Sequence, residues 1–529
     1  MDKNVIKRNK YLLGIFIVLI FLLVIRLYYI QIICHEELSE AAKSQYEIMI
    51  EGMDTRGMIL DRNYIPLIGD TNQYYYFIEK EKYNSELKQL LKDIRCSRIT
   101  SSSAKYYIYR TEKYNGNINQ KLKDDYNAYV FQSTTRYCDS QLACHLIGYL
   151  NEDEKRGVSG LEYLYQDLLE ADKNTLSLWA DGMGNILSGT SPYKNNLENN
   201  HSFTGSNNIG VVTTIDYELQ TAAEKSLTQK SGAILVMDAD NGEILAWASS
   251  PTFNPNRIVD YLKSEEDCLI NKVSQASYPP GSVFKIVTAL AGLENGIDMQ
   301  AEYVCTGTTD VEGITVGCMA GPEGGHGSMN LKTAMAVSCN CYFAEMGETI
   351  GFQNIIGVAS KLGFGQKTMR DFPEEIDGNL PKIEDVGPWD TSNLAIGQGE
   401  LLVTPLQICR MTATIANGGY LVTPKVVLNE SLEKNKVIDD DNVIILGECM
   451  KEVMMSGTAK AEWESDVCGK TGTAEVGSYG ENINVCWFTG YCRQNDKNYA
   501  ITVMIDKGTS GTKDALPVFK NIVDFLGKN

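Results

Sequence analysis

Histidine is scarce in this chain of 529 residues, which contains 4 histidines, namely His35, His145, His201 and His326. They are scattered along the sequence, and no HExxH or H-x-H cluster brings two of them to the spacing of metal ligands. We therefore expect no metal site and no cofactor.

Cysteine is more frequent, but the spacing that would give it a structural role is missing. None of the 14 cysteines lies in a zinc-like CxxC pair, and a chain of this length is not expected to be a disulfide scaffold. Most are expected to be small buried hydrophobic residues. Cys305 and Cys318 flank a loop, CTGTTDVEGITVGC, and two states stay open for them, a disulfide in an oxidising compartment or two free thiols.

Basic residues are outnumbered, because 48 Lys and Arg stand against 68 Asp and Glu, a formal net charge of −20. Such a chain offers no broad basic surface to a phosphate backbone, which argues against nucleic-acid binding. With 43% hydrophobic and 22% charged residues, the composition is that of a globular protein. The length allows more than one domain.

Long apolar runs are absent except for one at the N-terminus. Residues 11–33 read YLLGIFIVLIFLLVIRLYYIQII, which is long enough to span a bilayer and has Arg26 as its one charge. The basic flank in residues 1–10 predicts a cytoplasmic tail, with the rest of the chain outside the cell. A cleaved signal peptide is the alternative, but the run is long for one and no A-x-A site follows it.

The remaining chain divides into two predicted domains. Residues 34–200 mix strand-like and charged helical runs and are expected to form an extended pedestal that ends in a polar linker at residues 195–210. Residues 201–529 begin with a helix capped by Asp216 and a hairpin of GAILVM and EILAWA. They end with three strand-like runs, VCGKTGTAE, VCWFTGY and YAITVMI, and a helix. Strands at both ends of a helical middle predict an α+β fold, one antiparallel sheet packed by helices.

The segment YPPGSVFKIVTALAGL contains the candidate nucleophile. Its proline and glycine end the preceding chain, and the apolar run then predicts a buried helix with Ser282 at its start and Lys285 on the same face. A lysine buried at a helix N-terminus has a lowered pKa and can act as a base. A serine hydroxyl needs such a base to become a nucleophile.

The Ser-x-x-Lys spacing alone is weak, because it recurs at Ser85/Lys88, Ser102/Lys105, Ser191/Lys194, Ser431/Lys434 and Ser510/Lys513. Two later elements strengthen it, Ser338-Cys339-Asn340 between two helix-like runs and Lys470-Thr471-Gly472-Thr473 in a strand-like run. The first element also fits a turn that caps a helix, and the second fits a strand with a bend. Together the three match the S-x-x-K, S-x-N, K-T-G order of acyl-serine enzymes that act on D-alanyl peptides and β-lactams.

With these motifs the sequence resembles the class B penicillin-binding proteins, the membrane-anchored D,D-transpeptidases of bacterial cell-wall synthesis. Further motifs carry the resemblance, and they are GGHGSMNL at 324–331, IGQGELLVTPLQ at 396–407, RGMILDRN at 56–63 and GVSGLEYLY at 157–165. The resemblance implies a penicillin-binding transpeptidase domain, related to serine β-lactamases, at residues 201–529. It also implies that the domain stands on a pedestal anchored by one transmembrane helix.

The resemblance implies catalytic roles for four residues. Ser282 is the expected nucleophile toward the penultimate D-Ala of a stem pentapeptide, and Lys285 is the expected acceptor of its proton. Ser338 would relay a proton to the departing D-Ala amine, with Lys470 supplying positive charge beside it. β-Lactams, which mimic D-Ala-D-Ala, would trap Ser282 as a covalent adduct.

Substrate-binding roles follow from the same resemblance. Asn340 would hydrogen-bond the peptide amide of the substrate, and Thr471 and Thr473 would hold its terminal carboxylate. Gly472 would leave room for substrate backbone lying against the strand. The backbone N–H groups of Ser282 and Thr473 would form the oxyanion hole.

Other function classes fit the sequence less well. A membrane-anchored serine β-lactamase needs a base for deacylation, and the sequence alone assigns none. A β-lactam sensor would have several membrane spans and an HExxH motif, whereas this sequence has one apolar run and no HExxH. The presence of all three motifs, S-x-x-K, S-x-N and K-T-G, argues against a non-catalytic scaffold. The predicted pedestal, residues 34–200, has no E-D-x-x-F-x-x-H-x-G run, the motif of a class A glycosyltransferase domain. Glycan strands would then come from a partner, which the resemblance implies to be an FtsW/RodA-type polymerase, alongside other elongation or division proteins.

Overall fold

The structure is a computed structural model. It describes residues 3–33, 47–49, 56–69, 72–99, 105–113, 115–134, 136–151, 156–170, 177–179 and 210–528, with gaps at 264–266, 312, 322–323, 370, 373, 383–389, 429, 464 and 477–482. The predicted linker, apart from Gly210, and the predicted domain boundary near residue 200 lie outside these ranges.

The helices and strands are numbered here in chain order. The helices are α1 (Lys3–Tyr28), α2 (Ser85–Asp93), α3 (Gly116–Tyr126), α4 (Cys144–Ile147), α5 (Gly160–Leu164), α6 (Gln166–Glu170), α7 (Tyr217–Ser226), α8 (Ile258–Tyr261), α9 (Lys285–Glu294), α10 (Leu331–Ala336), α11 (Asn340–Ile350), α12 (Phe352–Lys361), α13 (Asp390–Ala395), α14 (Pro405–Ala416), α15 (Asp440–Met455) and α16 (Leu516–Leu526). The strands are β1 (Glu47–Met49), β2 (Met58–Leu60), β3 (Asn72–Glu79), β4 (Ser97–Ile99), β5 (Tyr106–Thr111), β6 (Tyr129–Thr134), β7 (Ser177–Trp179), β8 (Gly210–Val212), β9 (Gly232–Asp238), β10 (Ile244–Ser250), β11 (Tyr303–Cys305), β12 (Thr308–Val311), β13 (Ile314–Gly317), β14 (Gly327–Met329), β15 (Tyr420–Val422), β16 (Lys434–Lys436), β17 (Val467–Val476), β18 (Ile483–Gln494) and β19 (Lys497–Gly508).

Tertiary contacts divide the chain into two units. The first unit comprises residues 1–56, 72–134 and 171–208, and the second comprises residues 57–71, 135–170 and 209–529. Segments 57–71 and 135–170, which fall within the predicted pedestal, thus pack with the C-terminal part of the chain. One cause is the parallel pairing of β2 with β8, residue Ile59 against Val211.

The N-terminal helix α1 belongs to the first unit. The stretch Leu12–Ile32, which runs from α1 into the π-helical turn Tyr29–Ile33, has 21 residues and a mean hydropathy of 2.7, and its side chains are exposed. By length and composition it can cross a membrane, which fits the anchor predicted at residues 11–33.

The first unit also contains a four-stranded antiparallel sheet in the order β4-β5-β3-β6. Helices α2 and α3 begin where the side chains of Asn84 and Asn115 accept hydrogen bonds from the backbone of the first turn. Leu87 of α2 and Leu122 of α3 are buried with Tyr76 of β3 in one core. The sheet and helices therefore share a hydrophobic layer of their own.

The second unit is built on a five-stranded antiparallel sheet in the order β10-β9-β19-β18-β17. The predicted hairpin is confirmed as β9 and β10, and Gly242 in its turn has φ 76°, a conformation that glycine adopts without strain. The three late strand-like runs are β17, β18 and β19. Because β9 pairs with β19, the two ends of this unit meet in one sheet, with β17 at an edge.

Helices cover both faces of this sheet. In β18, Thr489 shares a hydrogen bond with Thr412 of α14, whereas the preceding Phe488 packs on Phe519 of α16. Successive strand residues point to opposite faces, so α14 and α16 lie on opposite sides of the sheet. Asp216 caps α7 as predicted, and the helix begins at Tyr217. The prediction of one antiparallel sheet packed by helices is confirmed.

Candidate active site

Ser282 lies in a short 3₁₀ turn, Gly281–Phe284, and α9 begins only at Lys285. The prediction that the α-helix begins at Ser282 is therefore wrong. The helix begins three residues later, and Ser282 lies in the tighter 3₁₀ turn that leads into it. Side chains three residues apart eclipse each other in a 3₁₀ turn, so Ser282 and Lys285 still share one face, as predicted. Ser282 is partly exposed, and Lys285 is fully buried.

Backbone contacts from distant segments hold this turn. The N–H of Gly281 donates to the carbonyl of Gly397 at 2.8 Å, and the indole Nε1 of Trp487 donates to the carbonyl of Pro279 at 3.0 Å. Gly281 has φ 54°, and a Cβ there would lie 2.8 Å from the carbonyl oxygen of Thr473. The turn that contains Ser282 is thus held between the IGQGE loop, residues 396–400, and strand β17.

The amine of Lys285 is surrounded by acceptors. Its Nζ donates to the Ser338 carbonyl at 2.8 Å, to Ser338 Oγ at 3.3 Å and to Asn340 Oδ1 at 2.6 Å. Burial lowers the pKa of Lys285 from 10.5 to about 8, against the opposing effect of nearby cysteines. A lysine with such a pKa can hold or accept a proton near neutral pH.

Ser338 occupies a turn between α10 and α11 in a left-handed conformation, with φ 55°. A residue with a Cβ adopts this conformation only when its surroundings hold it there. Cys339 then caps α11, and Asn340 is the first residue of that helix. The Ser338-Cys339-Asn340 element is therefore the helix-capping turn that the sequence allowed as an alternative to a functional motif. The same turn also brings Ser338 and Asn340 into hydrogen-bond contact with Lys285.

Lys470 approaches Ser338 from the edge strand β17. Its Nζ donates to Ser338 Oγ at 2.8 Å and to the carbonyl of Thr471 at 3.0 Å, and its side chain is fully buried. Burial, together with the charge of Lys285, lowers the pKa of Lys470 well below its ordinary value. One hydroxyl thus receives hydrogen bonds from two buried amines.

The rest of the K-T-G-T run shapes the strand. A Cβ at Gly472 would lie 3.0 Å from the Pro280 carbonyl and 3.1 Å from Cβ of Trp487. The chain that leads into the turn of Ser282 therefore packs directly against this glycine. The Thr471 hydroxyl shares a 2.7 Å hydrogen bond with Thr458, and the Thr473 hydroxyl accepts one from the backbone of Gly511.

The structure brings Lys285, Ser338, Asn340 and Lys470 into one hydrogen-bonded group. The Ser282 hydroxyl has no hydrogen-bond partner among the described residues and is joined to the group only through its own turn. Apo sites often tighten only with substrate, so this gap does not argue against Ser282. Its partial exposure leaves the hydroxyl accessible.

Sequence reasoning missed several neighbours of this group. Thr458, which contacts Thr471, follows α15 and is not part of any motif, so nothing in the sequence pointed to it. Cys305, Cys318, His326 and Cys339 lie together beside Ser338, with their ligand atoms within 4.8 Å of one another. Their spacing differs from that of zinc fingers, which is why the sequence predicted no metal site. Both Cys305 and Cys318 are free thiols in the structure.

Comparison with known proteins shows the family of this chain. Residues 232–524 match the family model of the penicillin binding protein transpeptidase domain. Stage V sporulation protein D of Bacillus subtilis is 29% identical over 98% of this chain and 85% of its own length. Peptidoglycan D,D-transpeptidase MrdA of Acinetobacter baumannii is 28% identical, over 97% of this chain and 87% of its own.

Among solved structures, Penicillin-Binding Protein (PBP2) of Helicobacter pylori, in a complex with MreC, is similar to this chain with a TM-score of 0.67. The two are 25% identical, and the match covers 91% of this chain and 98% of that one. Family model and relatives confirm the resemblance drawn from the motifs. The chain belongs to the penicillin-binding protein transpeptidase family, as a class B member.

Proposed function

We propose that this chain cross-links peptidoglycan stem peptides as a D,D-transpeptidase, with Ser282 as its acyl-carrying nucleophile. The observation that carries the proposal is the pair of buried lysine amines, Lys285 and Lys470, on one serine hydroxyl beside an accessible serine. Desolvated lysines are suited to moving protons near neutral pH. A purely structural role does not call for two buried cations on one hydroxyl, because burying charge is costly.

The acylation step uses these groups in order. Oγ of Ser282 attacks the carbonyl carbon of the penultimate D-Ala, and its proton passes to Nζ of Lys285. The bond to the terminal D-Ala nitrogen then breaks as that nitrogen takes a proton through Ser338, whose hydroxyl is replenished from the lysines. The backbone N–H groups of Ser282 and Thr473 stabilise the oxyanion of the intermediate.

Deacylation completes the cross-link. An amine from a neighbouring stem peptide attacks the ester carbonyl, and its proton passes through Ser338 and Lys285 to Oγ of Ser282 as the bond between that oxygen and the carbonyl carbon breaks. Asn340 binds the substrate's peptide amide, and Thr471 and Thr473 bind its terminal carboxylate, while Gly472 lets the turn of Ser282 pack on the strand. A β-lactam enters the same path but leaves a stable ester on Ser282.

The cellular setting belongs to the proposal as well. The basic residues of α1 that precede its apolar stretch support an N-terminus in the cytoplasm and a transpeptidase domain, residues 201–529, outside. Residues 34–200 serve as its pedestal. Glycan strands come from an FtsW/RodA-type polymerase, and the complex of the related PBP2 with MreC supports assembly with further proteins of elongation or division.

The test is the intact mass of the full chain in detergent after incubation with a penicillin. We expect a stable adduct of one drug per chain that is absent in Ser282→Ala. Ser85→Ala, which removes the serine of another Ser-x-x-Lys pair, is the matched control and should acylate normally. Consumption of the drug without an adduct would instead indicate a β-lactamase. An intact drug without an adduct would indicate a scaffold or a resistant transpeptidase, and only the transpeptidase would turn over a D-Ala-D-Ala thioester.

A further inference from the structure

A cleft with a volume of about 820 Å³ opens at one end of the five-stranded sheet of the second unit. Its walls come from the end of α7, the residues that lead into β9, the ends of β10 and β19, and residues 267 and 272. The volume lies in the range of clefts that bind small ligands and is large enough for a short peptide. None of the residues that line it has a role in the acyl transfer proposed above.

Strand register places this cleft in line with the active site. Across the sheet, Thr473 pairs with Cys486, Cys486 with Ile505, Ile505 with Gly232, and Gly232 with Ser250, which lines the cleft. Neighbouring strands lie about 4.8 Å apart, so the end of β19, the near wall of the cleft, is about 10 Å from Thr473. An extended peptide covers about 10 Å with roughly three residues. One short peptide can therefore reach from the cleft to the active site.

The chain itself also connects the cleft to the nucleophile. The segment that lines the cleft with Asp267 continues through Tyr278 to Ser282, and the ring of Tyr278 packs edge-on against Trp487, with 6.3 Å between the centroids. Burial, and then the negative charges of Asp506 and Asp267, raise the pKa of Tyr278. The two carboxylates are therefore close to the residue that leads into the turn of Ser282.

Lys272 is the charged group of the cleft that most requires a ligand. Its side chain lines the cleft and the residue is 4% exposed, and its amine has no hydrogen bond and no ion pair among the described residues. Its backbone N–H donates to Oγ of Ser249 at 3.0 Å, which fixes the base of the side chain. Glu224, which also lines the cleft, already accepts hydrogen bonds from Ala143 and Gln220. Because burying an unpaired charge is costly, this amine indicates a ligand that brings an anion.

The other charges of the cleft are of both signs. Lys225, Lys230 and Lys507 add three amines, in a chain whose formal net charge is −20, and Asp267 and Asp506 add two carboxylates. In the part of the chain that the structure describes, no ion pair joins any of these five groups. Two carboxylates oppose a polyanion such as a phosphate polymer. A peptide that has free carboxylates and a free amine complements both sets of charges.

We propose that this cleft, with Lys272 and Asp506 in its walls, binds the acceptor stem peptide, the peptide whose amine attacks the acyl-enzyme on Ser282. This role of the cleft rests on the proposed transpeptidase function. The lysine amines hold the carboxylates of the peptide, and the two aspartates attract its amine toward Tyr278 and the turn of Ser282. The donor then lies along β17 while the acceptor approaches across the end of the sheet, so the two peptides do not compete for one groove.

Binding of an acceptor that cannot act as a donor tests the site without catalysis. The probe is the tripeptide L-Ala-γ-D-Glu-L-Lys with a fluorophore on its N-terminus, which has carboxylates and an amine but no D-Ala. Its fluorescence anisotropy is measured with the full chain in detergent. Lys272→Met, which keeps the apolar stem, should weaken binding about tenfold or more, the loss of a hydrogen bond between charged groups. Lys497→Gln, which changes an exposed lysine at the other end of β19, is the matched control and should bind normally.

Two further measurements separate the charges and guard against misfolding. Lys507→Gln changes an exposed side chain of the cleft and should also weaken binding, so the test does not depend on whether Lys272→Met folds. Acetylating the amine of the probe should weaken its binding to the original chain. The same acetylation should have a smaller effect on Asp506→Asn, because that variant has already lost a carboxylate that attracts the amine.

Three results would overturn the proposal. They are a tripeptide that does not bind while penicillin still labels Ser282, equal affinity in the original chain, Lys272→Met and Lys507→Gln, and inorganic polyphosphate that displaces the tripeptide and binds more tightly. The last result would assign the cleft to a polyanion. Failure of the proposed function gives a different result, the absence of a penicillin adduct, and a tripeptide that still binds would then show a stem-peptide site on a chain that is not a transpeptidase.

Discussion

The rate of acylation should depend on pH through Lys285. Its amine must be neutral to take the proton of Ser282, and burial sets its pKa at about 8. The neutral form then makes up about 1% of the protein at pH 6, about 9% at pH 7 and half at pH 8. The second-order rate constant for penicillin acylation should rise roughly tenfold between pH 6 and pH 7, but less than about twofold between pH 8 and pH 9.

A lysine at its ordinary pKa of 10.5 would give a different profile. The rate would rise roughly tenfold per pH unit up to about pH 9 and would still rise several-fold between pH 9 and pH 10, because the neutral form would be a minor fraction throughout. Lys470 titrates beside Lys285, so the profile reports the coupled pair. Lys470→Gln separates the two, since the variant should acylate more slowly but keep the rise between pH 6 and pH 8.

The assay is the stopped-flow rate of labelling with a fluorescent penicillin, from pH 6 to pH 10, with tryptophan fluorescence to verify that the chain stays folded. Ser282→Ala gives the background. A rate that does not change with pH between 6 and 8 would refute Lys285 as the base. A rise that continues undiminished past pH 9 would refute the effect of burial on its pKa.

Three further outcomes follow from the packing. Gly281→Ala should lower the free energy of unfolding in urea by about 2 kcal/mol or more and should slow acylation. A Cβ there is opposed both by the φ of 54° and by the Thr473 carbonyl oxygen, which would lie 2.8 Å away, so unchanged stability would contradict the geometry. Thr471→Val should raise KM for a D-Ala-D-Ala thioester about tenfold or more, the loss of a hydrogen bond to a carboxylate. Thr458→Val, which breaks the same 2.7 Å hydroxyl pair from the other side, is its control, and equal KM values in the two variants would remove Thr471 from carboxylate binding. Thr489→Val should cost about 1–3 kcal/mol in thermal unfolding, because its buried hydroxyl joins Thr412 and Thr502, while acylation by penicillin in the folded protein should stay normal.

The sequence predicted the sheet and the motif residues because both depend on local patterns. Alternating turns and apolar runs located β9, β10 and the last three strands. The order of three short motifs was enough to select Ser282, Lys285, Ser338 and Lys470 from a chain with five other Ser-x-x-Lys pairs. Their substrate-binding and catalytic roles stay predictions.

The parts that the sequence could not predict depend on contacts between distant segments. The carbonyl of Gly397 accepts a hydrogen bond from Gly281 in the turn that contains Ser282, although more than a hundred residues separate the two in the sequence. Thr458, which follows α15, contacts Thr471 of β17 in the same way. Cys305, Cys318, His326 and Cys339 come together from four separate turns and strand ends, with no repeat that a pattern search recognises. The 3₁₀ turn at Ser282 arises because β17 and the IGQGE loop confine it, and neither is its sequence neighbour.

The hydroxyl of Ser338 offers two lone pairs and a single proton. When the amines of both Lys285 and Lys470 are protonated, they occupy both lone pairs, and the proton of Ser338 is free to point at the substrate. When Lys285 is neutral, its lone pair can instead accept the proton of Ser338. In the proposed mechanism, the proton that Lys285 takes from Ser282 would therefore turn the Ser338 hydroxyl toward the leaving nitrogen, so that activation of the nucleophile would prepare the departure of D-Ala in the same event.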